Sequence, residues 1–259
     1  MPLLALLLLI FSHNIMAATN YQIATTSRSI ASLAAMIADD KAKIHILNSN
    51  SGSQCIHNHH VKPSDVNILR NADLIIYVGS HFERKLHKSV KHLKNQITFE
   101  DLVNNRDGHI WLNLDNALVI LQRINNYLST AMPEHKDFFA ANLITHKKNL
   151  RNLSKKINNQ LTEISDGKVI IAHNALRYFM DYFKLQYEYS NRLSPRKLRI
   201  LEKQQPACIL TSHCHGHEKQ IDKISFIDID KIHNKIELSD FYSHMITDIA
   251  TQITSSCKK

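Results

Sequence analysis

The sequence predicts an α/β protein with two lobes, each built on a parallel-type sheet, joined by a long backbone helix. Short runs rich in β-branched residues alternate with amphipathic stretches, a pattern typical of strands and helices in parallel sheets. Between residues 113 and 165 no strand pattern occurs, and an apolar helical period continues instead. The chain has only five glycines and five prolines, and no low-complexity linker separates the two blocks. We therefore expect a stiff connection between the lobes.

The order of these elements sets the expected domain boundaries. Six runs have strand character: 21–25, 43–48, 73–79, 168–173, 207–212 and 223–229. Helices are expected at 27–39, at 63–72 and at 113–132, and Pro133 marks the start of the linking helix because proline is favoured at the first helical position. The expected division is a leader at 1–18, an N-terminal α/β lobe at 19–132, a linking helix at 133–166 and a C-terminal α/β lobe at 167–259.

The first residues indicate export. An apolar run follows Met1, no charged side chain precedes Arg28, and small residues stand at Ala17 and Ala18. We expect a signal peptide cleaved near Ala17 and Ala18 and a periplasmic protein without stable membrane insertion, because about ten apolar residues are too few to span a bilayer. The formal net charge is +9, but lysines and arginines are scattered along helical stretches such as 82–95 and 146–157. This distribution favours solvated helix faces over a nucleic-acid interface.

Three histidines and one aspartate stand near the carboxyl ends of expected strands, where ligands collect in α/β sheets. His57 lies in the loop after the second strand run, His173 closes the fourth, and Asp228 follows the apolar residues of the sixth. His109 lies where an apolar run passes into a helix. Three imidazoles and one carboxylate form a suitable tetrahedral set for zinc, although each residue alone is more often an ordinary hydrogen-bonded loop residue.

Four sequence blocks in a fixed order resemble a known family. They are H-N-H-H-V-K-P-S-D…N-A-D-L-I-I-Y-V-G-S at 57–80, H-I-W-L-N at 109–113, M-P-E-H-K-D-F-F at the start of 132–151 and V-I-I-A-H-N-A-L at the start of 169–186. Together they resemble the zinc-type, ZnuA-like cluster A-I solute-binding proteins of bacterial ABC importers. The resemblance implies two α/β lobes joined by a backbone helix, one metal ion in the cleft between them, and delivery of that ion to a membrane permease. We expect a monomer.

The resemblance also implies a ligand set. His57, His109 and His173 match the family's histidine ligands, and Asp228 is the expected fourth ligand, with Asp230 or solvent as alternatives. Manganese-type relatives tend to have glutamate at the third position, so a histidine there indicates zinc, because manganese prefers oxygen donors. A carrier of manganese or another divalent metal remains the alternative within the family.

Other histidines fall outside that set. His59 and His60 match positions that do not bind the metal in the family, and Trp111 is expected to pack in the core beneath His109. The region 79–108 lacks the histidine- and acid-rich loop of many zinc-type members, whereas H-C-H-G-H occurs at 213–217. His213, His215 and His217 therefore form a candidate auxiliary zinc site, with an ordinary loop as the alternative.

The four cysteines allow three pairings by arithmetic. The resemblance implies a disulfide between Cys208 and Cys257 that ties the C-terminal helix to a strand. For Cys55 and Cys214, three alternatives stay open: a disulfide between the lobes, additional thiolate ligands, or two unrelated cysteines.

The competing functional class is a secreted zinc-dependent hydrolase. A metallohydrolase motif H-x-H-x-D-H beginning at His57 would require aspartate where Val61 stands, and the sequence contains no H-E-x-x-H. The same motif is also absent at His213, because His217 stands where aspartate is required. We therefore expect no enzymatic activity. A purely structural secreted protein would explain the leader but not the ordered ligand blocks.

Overall fold

The computed structural model describes residues 21–47, 61–104, 107–164, 169–190, 194–203, 206, 208–211, 224–227 and 236–257. The first elements are β1 (Gln22–Thr25), α1 (Arg28–Ala38), β2 (Lys43–Ile46), α2 (Pro63–Asn71), β3 (Leu74–Ile76), α3 (Arg84–Val90), β4 (Gln96–Ile97) and α4 (Leu114–Ala131). They are followed by α5 (Lys136–Leu161), β5 (Val169–Ile171), α6 (Leu176–Tyr182), β6 (Tyr187–Tyr189), α7 (Pro195–Lys203), β7 (Cys208–Thr211), β8 (Ile224–Phe226) and α8 (Leu238–Ser256).

The strands form two parallel sheets with the same topology. The first has the order β2-β1-β3-β4 and the second the order β6-β5-β7-β8. In both sheets the first strand of the half is central and pairs in parallel with the second and third strands. This arrangement confirms the predicted α/β class with one parallel sheet in each half of the chain.

Helix α1 is buried between the first sheet and three other helices. The side chain of Ser27 caps its start by accepting a hydrogen bond from the backbone N–H of Ile30 at 3.1 Å. Every residue at positions 29–38 is buried, because α1 packs against α4, α5 and α8 as well as against the first sheet. Alanine and serine on this helix allow such close packing on all sides.

Helix α8 connects the two halves of the structure. It packs against α1 and α5, and the backbone N–H of Tyr242 donates to Oγ of Ser32 at 2.9 Å. At the other end of α8, Cys257 forms a disulfide with Cys208 of β7, with a Cα–Cα distance of 5.1 Å. This is the pairing that the family resemblance implied. The last helix of the chain therefore packs against the first. The lobe boundaries expected from the sequence stay a prediction.

Three local features differ from the sequence-based expectations. Strands β4 and β6 were not predicted, and both lie at an edge of their sheet. Strand β4 has only two residues, and no residue of β6 is fully buried, so neither contains an apolar run that marks a strand. Pro133 opens a 3₁₀ turn over Pro133–His135, and the long α-helix begins only at Lys136. Pro63, by contrast, begins α2 as predicted.

Among the described residues, no helix is both long and apolar enough to cross a membrane. The largest buried side chains include Trp111, as expected, together with Tyr77 and Tyr242. One hydrophobic core contains residues of both sheets, such as Ile23 from the first and Ile171 from the second. The two halves therefore share buried apolar surface.

Candidate metal centre

Two of the predicted ligands, His109 and His173, are adjacent in the structure. Their ring centroids are 5.8 Å apart and their planes are inclined by 79°. His109 precedes the 3₁₀ turn Ile110–Leu112, and His173 follows β5 of the second sheet. Both histidines are buried, with exposed fractions of 0% and 2%. The structure therefore brings together two imidazoles from opposite halves of the chain.

The orientation of His109 is set by Asp107. Oδ1 of Asp107 lies 3.1 Å from Nδ1 of His109 and accepts a second hydrogen bond from the backbone N–H of His109 at 3.1 Å. Burial opposes ionisation of Asp107, but the charge and hydrogen bonds of His109 and the charge of His173 hold the pKa of Asp107 at about 2. An ionised carboxylate can only accept hydrogen bonds, so Nδ1 of His109 carries the proton. Metal binding by His109 would therefore use Nε2.

The position of Asp107 is fixed from the other half of the chain. The hydroxyl of Tyr178, in α6, donates to the backbone carbonyl of Asp107 at 2.9 Å.

The ring of His173 also has a backbone partner: the backbone N–H of Ala175 donates to Nδ1 of His173 at 3.3 Å. Metal binding through Nε2 of His173 would require this long contact to be released, with the ring proton on Nδ1.

A buried carboxyl, Glu83, lies close to the same centre. It accepts hydrogen bonds from the hydroxyl of Thr26 at 2.6 Å and from the backbone N–H groups of Val78 and Gly79 at 3.2 Å and 2.9 Å. Burial raises the pKa of Glu83 to about 7, although these hydrogen bonds and the charge of His109 favour the ionised form. Glu83 thus joins the segments that follow β1 and β3 beneath the candidate site.

Aromatic rings enclose His109 on the side of the first sheet. Its ring centroid lies 5.2 Å from that of Phe82 and 5.1 Å from that of Trp111. The hydroxyl of Tyr242 donates to the backbone carbonyl of Trp111 at 2.7 Å, which connects α8 to this wall. An apolar wall of this kind excludes water and strengthens the polar interactions of His109 with its partners.

All the other predicted ligands lie outside the described residues. These are His57, Asp228 and its alternative Asp230, the auxiliary candidates His213, His215 and His217, and the cysteines Cys55 and Cys214. Among the residues that the structure describes, no group of three or more His, Cys, Asp and Glu side chains is arranged to hold a metal ion. The ligand set predicted from the sequence therefore stays a proposal.

Sequence reasoning missed two residues of this centre, Asp107 and Glu83. Asp107 stands two residues before His109, and that spacing is a detectable sign of a carboxylate that orients a histidine. Glu83 has a weaker sign, since it only follows the short loop after a predicted strand. Its burial and its three hydrogen bonds become visible only when both neighbouring strands are placed.

A comparison with known protein families identifies the family of this chain. The family model described as ZnuA, zinc-uptake complex component A periplasmic, matches residues 23–205. The chain belongs to the ZnuA family. That match includes both His109 and His173 of the candidate centre.

Curated relatives of this ZnuA-family chain differ in the metal that their names state. A putative metal-binding protein of Chlamydia muridarum (strain MoPn / Nigg) is 28% identical over 218 residues, 76% of this chain and 78% of the relative. The high-affinity zinc uptake system protein ZnuA of Haemophilus ducreyi (strain 35000HP / ATCC 700724) is 24% identical over 68% of each chain. The manganese ABC transporter substrate-binding lipoprotein PsaA of Streptococcus pneumoniae is 25% identical over 65% of this chain and 61% of the relative.

Solved structures show the same fold as this ZnuA-family chain. A crystal structure of ZnuA superposes with a TM-score of 0.72 at 16% identity, covering 92% of this chain and 99% of that one. A structure of TroA, studied for its metal-binding specificity, has a TM-score of 0.73 at 15% identity, covering 92% and 100%. At these identities the likeness establishes the fold alone. The family is that of metal ABC transporter substrate-binding proteins, whereas the metal carried by this chain is a separate question.

Proposed function

We propose that this protein is the periplasmic zinc-binding component of an ABC importer, which captures Zn²⁺ between its two halves and delivers it to a membrane permease. The observation that supports this most directly is the buried pair of His109 and His173, which come from opposite halves and lie 5.8 Å apart between ring centroids. A metal bound by both rings would join the two halves through its own coordination bonds.

The proposed ligand set is His57, His109, His173 and Asp228, and zinc is the proposed metal. Imidazole nitrogen is a borderline donor that suits zinc, whereas manganese prefers sites dominated by oxygen. Asp107 supports the same assignment, because it presents Nε2 of His109 to a metal and raises the basicity of the ring. The relatives named for zinc and for manganese make the choice of metal the decisive question.

The proposal includes no enzymatic activity. A hydrolytic zinc site keeps one coordination position open for water and places a general base beside it. The carboxylate nearest to His109, Asp107, is instead engaged by two hydrogen bonds from that residue, and its low pKa makes it a poor base. The group therefore serves to orient a ligand.

The test is competitive metal titration of the metal-free protein, with zinc and manganese as competing ions. The wild type is compared with His109→Ala, with His173→Ala and with a matched control, His92→Ala, which removes an exposed histidine outside the proposed ligand set. We expect one tightly bound zinc in the wild type and the control, and affinity weakened by at least about 100-fold in both ligand variants.

Three outcomes would contradict the proposal in different ways. Preferential binding of manganese by the wild type would leave the site in place but make the metal assignment wrong. Zinc affinity that is unchanged in His109→Ala and His173→Ala would exclude these residues as ligands. Hydrolysis of ester or amide substrates by the zinc-loaded wild type, lost in the same variants, would favour the hydrolase instead.

A further inference from the structure

A compact basic surface covers the exposed side of α3 and the turn after it. It consists of Arg84, Lys88, Lys91 and Lys94, and all four are exposed. We call these four residues the α3 basic surface. Lys85 and His92, which are also exposed, lie beside them. The metal centre does not use any of these side chains.

The helical geometry places these charges together. Arg84, Lys88 and Lys91 are four and then three residues apart, so they lie on one side over two successive turns. Leu86 and Val90 are buried on the opposite side and hold α3 against the N-terminal sheet. The basic side is therefore displayed to the solvent by a helix that is anchored through its apolar side.

Carboxylates near α3 are occupied elsewhere. Glu83 is buried and accepts its hydrogen bonds from Thr26, Val78 and Gly79. Glu100 accepts a hydrogen bond from the backbone N–H of Ser80. Its charge interacts with His81, which precedes α3, and with His87, which lies within α3. Within the described residues, none of the four cations of the α3 basic surface forms an ion pair with a carboxylate. Their charge is therefore available to an external partner.

The composition of the surface indicates what kind of partner fits it. Three of its four cations are lysines, whose hydrated point charges on long stems suit mobile anionic groups better than fixed bidentate acceptors. The exposed large hydrophobic residues of the described chain lie elsewhere, at Val66, Val119, Ile144 and Ile200. A specific protein interface normally has a buried apolar or aromatic centre, which this surface lacks.

We propose that the α3 basic surface binds reversibly to anionic phospholipid headgroups at the membrane surface. Clusters of lysine and arginine gain affinity for anionic bilayers additively and without insertion, within about a Debye length of the surface. Such binding would hold the protein beside the membrane, where an importer component acts, while the metal centre stays unaltered. It does not depend on which metal the protein carries.

The test is co-sedimentation of the full chain with vesicles at low and high salt. One set of vesicles contains phosphatidylcholine alone, and the other also contains phosphatidylglycerol. The α3 variant combines Arg84→Gln, Lys88→Gln, Lys91→Gln and Lys94→Gln. The matched control combines Lys148→Gln, Arg151→Gln, Lys155→Gln and Lys156→Gln on α5, where the four side chains are also exposed. Both variants lose three lysines and one arginine, so their net charges are equal.

We expect the wild type and the α5 control to bind the anionic vesicles at low salt and to dissociate at high salt. The α3 variant should bind roughly 600-fold more weakly, because each of the four cations near an anionic surface contributes about a fivefold increase in affinity. Zinc affinity and thermal stability, measured on the same samples, should be the same in all three proteins.

Three results would overturn the proposal. Equal losses in the α3 and α5 variants would mean that net charge alone attracts the protein. Equal binding to both kinds of vesicle would mean that the chain's contact with lipid is not electrostatic. No binding of the wild type to anionic vesicles would leave an acidic protein as the partner of this surface, with phospholipid excluded.

Discussion

Nδ1 of His109 lies 3.1 Å from Oδ1 of Asp107, and this carboxylate also accepts the backbone N–H of His109. The backbone carbonyl of Asp107 in turn accepts a hydrogen bond from Tyr178 of the second half. In the segment 107–109, Asp107 therefore orients the ring of His109. The backbone of the same segment is held by Tyr178 of the second half. In the proposed site, Asp107 would therefore connect the metal affinity of His109 with the contact between the halves.

Replacing Asp107 with asparagine should weaken zinc binding by about 10- to 100-fold, because the charge that fixes the proton on Nδ1 of His109 is lost while the shape is kept. Competitive titration with a zinc chelator measures the effect. Asp137→Asn, at an exposed position on α5, is the matched control and should leave the affinity unchanged. Wild-type affinity in Asp107→Asn would show that the carboxylate does not position His109.

Glu83 should make the metal-free protein less stable as the pH rises. Its pKa of about 7 in the folded protein exceeds the ordinary value of 4.5, so the folded state binds a proton that the unfolded state has released between these values. Below about pH 4.5 the stabilisation from this proton is fully present, and it is lost as the pH rises through 7. We expect the free energy of unfolding of the wild type, relative to Glu83→Gln, to fall by on the order of 3 kcal/mol between pH 4 and pH 8.

Denaturant unfolding of both proteins across this pH range measures the difference. Thr26→Val is a useful second variant, since it removes a hydroxyl that favours the ionised carboxylate and should extend the decline to higher pH. Parallel stability curves for the wild type and Glu83→Gln would contradict the assignment of a raised pKa to this group.

Loss of the disulfide between Cys208 and Cys257 should destabilise the fold by about 2–4 kcal/mol. The bond closes a loop between residues separated by 49 positions, and its main effect is to restrict the unfolded chain. The double variant Cys208→Ser, Cys257→Ser tests this in denaturant unfolding at equal metal occupancy. A free energy of unfolding equal to that of the wild type would mean that α8 is held by packing alone.

Zinc binding should not change the radius of gyration measurably in solution scattering. Helix α8 packs against both α1 and α5, and Tyr178 donates a hydrogen bond to Asp107, so the halves are joined by contacts in which no proposed metal ligand takes part. Tyr178→Phe removes only the direct hydrogen bond and serves as the comparison. Clear compaction of the wild type on adding zinc would indicate a hinge that the packing of α8 does not restrain.

Elements that are marked by residues close together in the sequence could be predicted from the local sequence alone. Ser27 capping α1, Pro63 opening α2 and the buried apolar strands were all predictable, because side chains close in sequence determine them. Edge strands β4 and β6 were not, because β4 has only two residues and no residue of β6 is fully buried, so neither contains an apolar run that marks a strand.

The sequence by itself determined the α/β class, the two successive sheets and the choice of His109 and His173 as candidate ligands. Only the tertiary structure decided that their rings lie 5.8 Å apart, that Asp107 fixes one of them, and that Glu83 is buried beneath. It also showed that the last helix, α8, packs against the first, so that the halves share a core. The physical reason is that hydrophobic pattern and capping act over a few residues, whereas distances, burial and pKa depend on groups brought together from far along the chain.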